Sequence, residues 1–89
     1  MRRARFEWDQ QNLAHLTRHS VDWDEAEAVV ANDPLVLRTS DGKYLAYGQT
    51  DEGRYLLVVF IRKPGPLIRV ITARDLTDRE KKRSRRRRR

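Results

Sequence analysis

The chain has 89 residues, with 20 Lys+Arg against 13 Asp+Glu, no cysteine and a formal net charge of +7. That length bounds it to one domain near the lower size at which a chain buries a useful core alone. The missing cysteine excludes a disulfide framework and a thiolate metal site.

The charge is lopsided. Positions 81–89 hold eight bases and no acid, which leaves 12 bases against 13 acids in positions 1–80. A polycation of this kind is drawn to phosphate without sequence preference, through binding that weakens steeply with salt.

In chain order, Arg5-Phe6-Glu7-Trp8 alternates and predicts a short strand. Asp9 is placed to cap a helix over 10–19, with Leu13 and Leu16 facing inward. Asp22 caps a second helix, where Glu25 closes a capping box and Val21 and Ala26 are spaced as a hydrophobic staple. Trp23, Ala26 and Val30 mark its buried face and Val29 widens it; Trp8 and Trp23 are both expected in the core. Asn32-Asp33-Pro34 ends the helix, because proline pushes the residue before it out of the α region.

The remainder reads as strands. A strand over 35–39 meets an Asp41-Gly42 hairpin turn, a second covers 44–50, and Gly53 sits in the next turn. The run 55–61 is unbroken and apolar, as expected of a central strand, and 67–74 is the last strand. Thr77 and Glu80 form another capping box. The helix they start has no apolar residue after Leu76, so burial predicts one or two ordered turns and then fraying. The order β-α-α-β-β-β-β-α predicts an α+β fold: an antiparallel sheet, two N-terminal helices packed on it and a short C-terminal helix. The folded domain is expected over 1–80 and a basic tail over 81–89.

Positions 1–8 hold no apolar signal-peptide core, and the longest apolar run, 56–61, is far too short to cross a bilayer, so a cytosolic protein is expected. No phosphate-binding glycine loop, nucleophile elbow or metal-ligand spacing occurs, and the two histidines are His15 and His19. Neither a metal nor another cofactor is expected.

Several blocks together are similar to a known family. Phe6-Glu7-Trp8-Asp9, Asn12, Arg18-His19-Ser20-Val21, Glu25-Ala26, Asn32-Asp33-Pro34-Leu35, the 55–60 and 68–74 strands, Thr77, Arg79 and Glu80 follow one another as in BrnT toxins. The resemblance spans roughly positions 6–83. It implies a RelE-like fold and a metal-independent endoribonuclease that cleaves RNA and inhibits translation. It also implies a BrnA-like ribbon-helix-helix antitoxin, and contact with operator DNA only through that antitoxin. RNA, free or on the ribosome, is then the substrate, and no membrane is involved. Two departures stand out. Ser20 replaces the usual glycine, costing about 1 kcal/mol if the position is left-handed. Ser84 stands where an aromatic residue is often found.

Guanidinium suits a phosphorane, because its planar fork pairs with phosphate oxygens and stays charged. The family position points to Arg62 and Arg74, at strand ends, and to His19, at a helix C-terminus that favours imidazolium. Lys63, Arg69, Arg79, Lys81, Lys82 and Arg83 are the expected RNA-binding cations. Arg69 and Arg74 differ by an odd number, so a regular strand would put them on opposite faces. Glu80 reads as a capping carboxylate before a base. The alternative is a non-enzymatic nucleic-acid-binding module or co-repressor that uses the basic tail as a phosphate anchor.

Overall fold

A computed structural model describes residues 4–87. The chain runs β1 (Arg5–Glu7), α1 (Gln10–Arg18), α2 (Trp23–Ala31), β2 (Leu35–Arg38), β3 (Tyr44–Gln49), β4 (Tyr55–Arg62), β5 (Leu67–Asp75) and α3 (Asp78–Arg87). The strands form one sheet in the order β1-β5-β4-β3-β2. β2 to β5 are the expected antiparallel meander. β1 joins the free edge of β5 in parallel, Arg5 opposite Leu67 and Glu7 opposite Arg69, so the sheet is mixed rather than wholly antiparallel. A three-residue strand carries too little pattern to announce its partner, and β5 is reached only after two helices and three strands, ample chain for the long connection a parallel pair needs.

Local chemistry fixes the first helix. The Asp9 carboxylate accepts from the N–H groups of Gln11 and Asn12. Asn12 is buried; its Oδ1 accepts from the Asp9 N–H and its Nδ2 donates to the Glu7 carbonyl, both at 2.8 Å. One side chain thereby closes the capping box and ties α1 to β1. At α2 the Glu25 carboxylate accepts from the Asp22 N–H at 3.0 Å.

Between the two helices Ser20 is left-handed, φ 56°. A serine strained in this way is relieved by glycine, partly offset by glycine's larger unfolded-state entropy. Ser20→Gly is therefore expected to raise stability by a few tenths to about 1 kcal/mol, read from the urea midpoint.

Leu16, Val21, Ala26, Val29 and Val30 from the helical side pack against Ala46, Leu56, Val58, Phe60, Ile68, Val70 and Ala73 of the sheet. The chain packs closely on β3 here: a Cβ on Gly48 would lie 3.1 Å from the Pro34 Cβ and 3.4 Å from Val29 Cγ1, so a larger residue would require Pro34 to give by a few tenths of an ångström. Trp23 is not in the core: it is 52 % exposed, because the buried stripe centres on Ala26, Val29 and Val30 and leaves the first turn at its rim. Trp8 is half-buried, stacked beside Phe6 and donating from Nε1 to Glu27 at 2.8 Å.

The opposite face of the sheet carries Tyr47, Leu57 and Leu76, with Leu35, Leu37, Leu45, Tyr55 and Val59 around them. α3 docks at this side. It is ten residues long and crosses the expected boundary at position 80 without a break. α3 thus runs to Arg87, longer than the one or two turns expected from burial; positions 88–89 lie outside the described residues. Docking succeeds without apolar residues for a specific reason. Ser84 is 2 % exposed, its Oγ 3.5 Å from the Tyr47 carbonyl, and a small side chain there lets the helix lie close. Lys81 and Arg85, one turn apart, place their cations 5.5 and 5.7 Å from the Tyr55 ring centroid. Ser84→Leu should overfill that contact and cost about 1–3 kcal/mol, with α3 amides losing hydrogen-exchange protection first.

Candidate functional site

β5 contains an irregularity that rearranges the expected site. Val59 opposes Thr72 while Phe60 opposes Val70, so Ile71 is an extra residue, a β-bulge. Arg69 lies opposite Ile61 and Arg74 opposite Leu57. Those two partners are four apart on β4, whose alternate residues Leu56, Val58 and Phe60 all enter the helix-covered core. Arg69 and Arg74 therefore share the face that α3 occupies, and the parity argument for opposite faces fails at the bulge.

Arg74 forms a bidentate pair with Glu80, NH1 to Oε1 at 2.8 Å and NH2 to Oε2 at 2.9 Å, and NH1 also donates to the Asp75 carbonyl. Glu80 at the same time accepts from the Thr77 N–H at 2.9 Å, and the Glu80 N–H donates to the Thr77 hydroxyl. The arginine, then burial working against it, then the Thr77 bonds leave the Glu80 carboxyl at about 2. One carboxylate thus starts α3 and orients the guanidinium. Glu80 is a weak base, and Arg74, with 41 % of its side chain exposed, remains reachable by a ligand. Beyond it α3 presents Arg79 and, one helical turn on, Lys82 and Arg83, all exposed. Lys81 lies 3.8 Å from Asp78 as well as over Tyr55.

The other expected residues lie elsewhere. Arg69 is bound by Asp9 at 2.8 and 3.2 Å and by Glu7 at 3.1 Å, with Lys63 3.3 Å from the same Glu7 oxygen. The Arg69 bonds, first of all, hold the Glu7 and Asp9 carboxyls below their usual range. Both cations fasten β1 and the start of α1 to the sheet. Arg62 is exposed at the end of β4, five positions from Leu57 and on the opposite face, so roughly 16 Å of strand separates it from the Arg74 row. Arg62 and Arg74 do not share one centre.

His19 is the C-cap of α1; its backbone N–H reaches the Leu16 and Thr17 carbonyls, and its imidazole is exposed. Its neighbour Ser20 accepts from Arg54 at 2.8 Å, and Arg54 also holds Glu25 at 3.0 Å and Asp75 at 2.9 Å. Arg54 had no local sequence signal, since its partners lie 21 to 34 positions away. It brings the residue after His19 and the residue after Arg74 to the same end of the sheet. His15 instead lines a cavity of about 120 Å³ with Gln11, Asn12, Arg69, Val70 and Ile71, too small for a nucleotide.

Residues 8–80 match the family model described as ribonuclease toxin, BrnT, of type II toxin-antitoxin system. The chain belongs to the BrnT family. Among solved structures it is similar to the crystal structure of the Brucella abortus ribonuclease toxin, BrnT. The TM-score is 0.69 at 19 % identity, over 85 % of this chain and 100 % of that one. That likeness bears out the α+β architecture. No curated protein matches the chain. In this BrnT-family chain no group of three or more His, Asp or Glu among the described residues is placed to hold a metal. No helix among them is long and apolar enough to cross a membrane.

Proposed function

We propose that this chain is a RelE-like endoribonuclease toxin of the cytoplasm that cleaves RNA without a metal, inhibits translation, and is neutralised by a BrnA-like ribbon-helix-helix antitoxin. The observation that carries the reading is the family match over residues 8–80, which the exposed Arg74 fork beside α3 supports chemically.

The site works by electrostatics. RNA phosphates settle against Arg79, Lys81, Lys82 and Arg83, and the Arg74 fork swings from Glu80 to the scissile phosphate. The ribose 2′-oxygen attacks phosphorus, the bond from phosphorus to the 5′-oxygen breaks, and the products are a 2′,3′-cyclic phosphate and a 5′-hydroxyl. Arg74 neutralises the phosphorane, His19 gives a proton to the 5′-oxygen, and a water takes the 2′ proton. Arg62, Lys63 and Arg69 take no part in this step. Catalysis without a strong base is slow unless a ribosome positions the message.

Expression of the chain alone from a tightly controlled promoter tests the reading. Arrested growth with fragmented RNA is expected, and normal growth with intact RNA overturns it. The tail and the exposed stripe of α3 favour a second reading, a nucleic-acid-binding module or co-repressor without catalysis. In that case Arg74→Ala leaves function intact and deletion of 81–89 abolishes it.

A further inference from the structure

We propose that Arg38, Tyr44 and Arg62 form a second binding platform, for the phosphates of a single-stranded RNA segment, on the face of the sheet opposite the Arg74 row. The inference rests on RNA being what this chain handles.

The register builds the platform. Arg38 is the cross-strand partner of Tyr44, and Tyr44 is the partner of Phe60, two residues before Arg62. The Tyr44 ring stacks on Phe60 with centroids 5.3 Å apart and planes 13° apart. Phe60 is fully buried, so the core fixes the ring. Over that one ring stand two guanidinium groups, Arg38 at 5.7 Å and Arg62 at 5.6 Å from its centroid.

These two arginines differ from the others that shape the fold. Arg54, Arg69 and Arg74 each hold a carboxylate. Arg38 and Arg62 are exposed and have no carboxylate partner among the described residues. Asp41, in the adjoining turn, is engaged by the Thr39 hydroxyl and by Lys43 at 3.1 Å. Two like charges are therefore gathered on one aromatic support, on exposed side chains. A guanidinium lying over a ring keeps its N–H fork free for phosphate, and its plane accepts a stacked base. Val36, on the same face two residues before Arg38, is the one large apolar side chain exposed on that strand. A nucleotide chain fits this surface better than an acidic peptide does.

The probe is a fluorescent 2′-O-methyl oligoribonucleotide, which lacks the attacking hydroxyl, titrated at several salt concentrations. Arg38→Ala and Arg62→Ala should each weaken binding several-fold, and each should lower the slope of log K against log salt by about 0.7. Tyr44→Leu should lose affinity at unchanged net charge. Arg62→Lys, which keeps the charge, should hold the slope while losing affinity, and it replaces Arg62→Ala if that variant does not fold. Cleavage of unmodified RNA by the unmutated chain is measured alongside. Binding without cleavage of either free RNA or ribosome-bound message keeps the platform and sinks the nuclease reading. Cleavage with unchanged affinity and slope in both alanine variants overturns the platform alone. Displacement of the probe by polyglutamate below the concentration of competing RNA also overturns it, in favour of an acidic protein partner.

Discussion

Arg74→Ala is expected to cleave RNA 10²–10³-fold more slowly than the unmutated chain, the usual loss when one donor to a developing oxyanion is removed. Arg74 presents two parallel N–H groups, now spent on Glu80, and a phosphorane offers the same pair of acceptors with more charge. Arg74→Lys keeps a cation but loses the planar fork, so it should recover only part of the rate. The substitution also removes an ion pair that is partly open to solvent, worth on the order of 1 kcal/mol. Glu80 keeps its Thr77 bonds, so the start of α3 survives. A loss near 1 kcal/mol leaves a domain of ordinary stability folded, and urea unfolding separates the two effects. A variant that arrests growth and cleaves RNA as the unmutated chain does removes Arg74 from the mechanism.

The features legible in the sequence were those whose partners lie three or four residues apart. The Asp22–Glu25 and Thr77–Glu80 boxes form as read, and Gly42 and Gly53 are left-handed in their turns, φ 87° and 94°. The apolar run of β4 announced a central strand. What stayed hidden depends on residues far apart in the chain. The bulge at Ile71 follows from packing of β5 on β4, and it alone moves Arg74 to the face of Arg69. Arg38 has no signal in the sequence beyond its place in the 35–39 strand; pairing with β3 places it over Tyr44. A burial argument could not foresee a helix docked through a serine and two cations, because its contacts are polar. Expected site residues thus scattered to three places, since strand-end position reports neither face nor end of the sheet.

Acid should loosen this protein earlier than its strongly basic charge suggests, and Glu80 should dominate the effect. Its carboxyl falls from 4.5 to about 2 on folding, chiefly through Arg74. A carboxyl lowered by folding stabilises the protein fully above its unfolded value and loses that contribution as protons return. The window is therefore pH 4.5 down to about 2. Unscreened, the shift corresponds to about 3 kcal/mol; with Arg74 41 % exposed, solvent screening reduces the expected share to about 1–2 kcal/mol. Asp75, held low by Arg54, and Glu7 and Asp9, held low by Arg69, titrate in the same direction, so the acid limb is cooperative. Glu80→Gln isolates the main term. Glutamine can still accept from Thr77 at the capping position, but it has no charge to lose. Between pH 5 and 2 its unfolding free energy should fall less than that of the unmutated chain, by about 1–2 kcal/mol, while both are flat above pH 6. Urea titrations at half-unit pH intervals measure the difference, and superimposable acid limbs would assign the sensitivity to Glu7, Asp9 and Asp75 instead. The same variant leaves Arg74 without its counter-charge, so it should bind RNA more tightly at neutral pH.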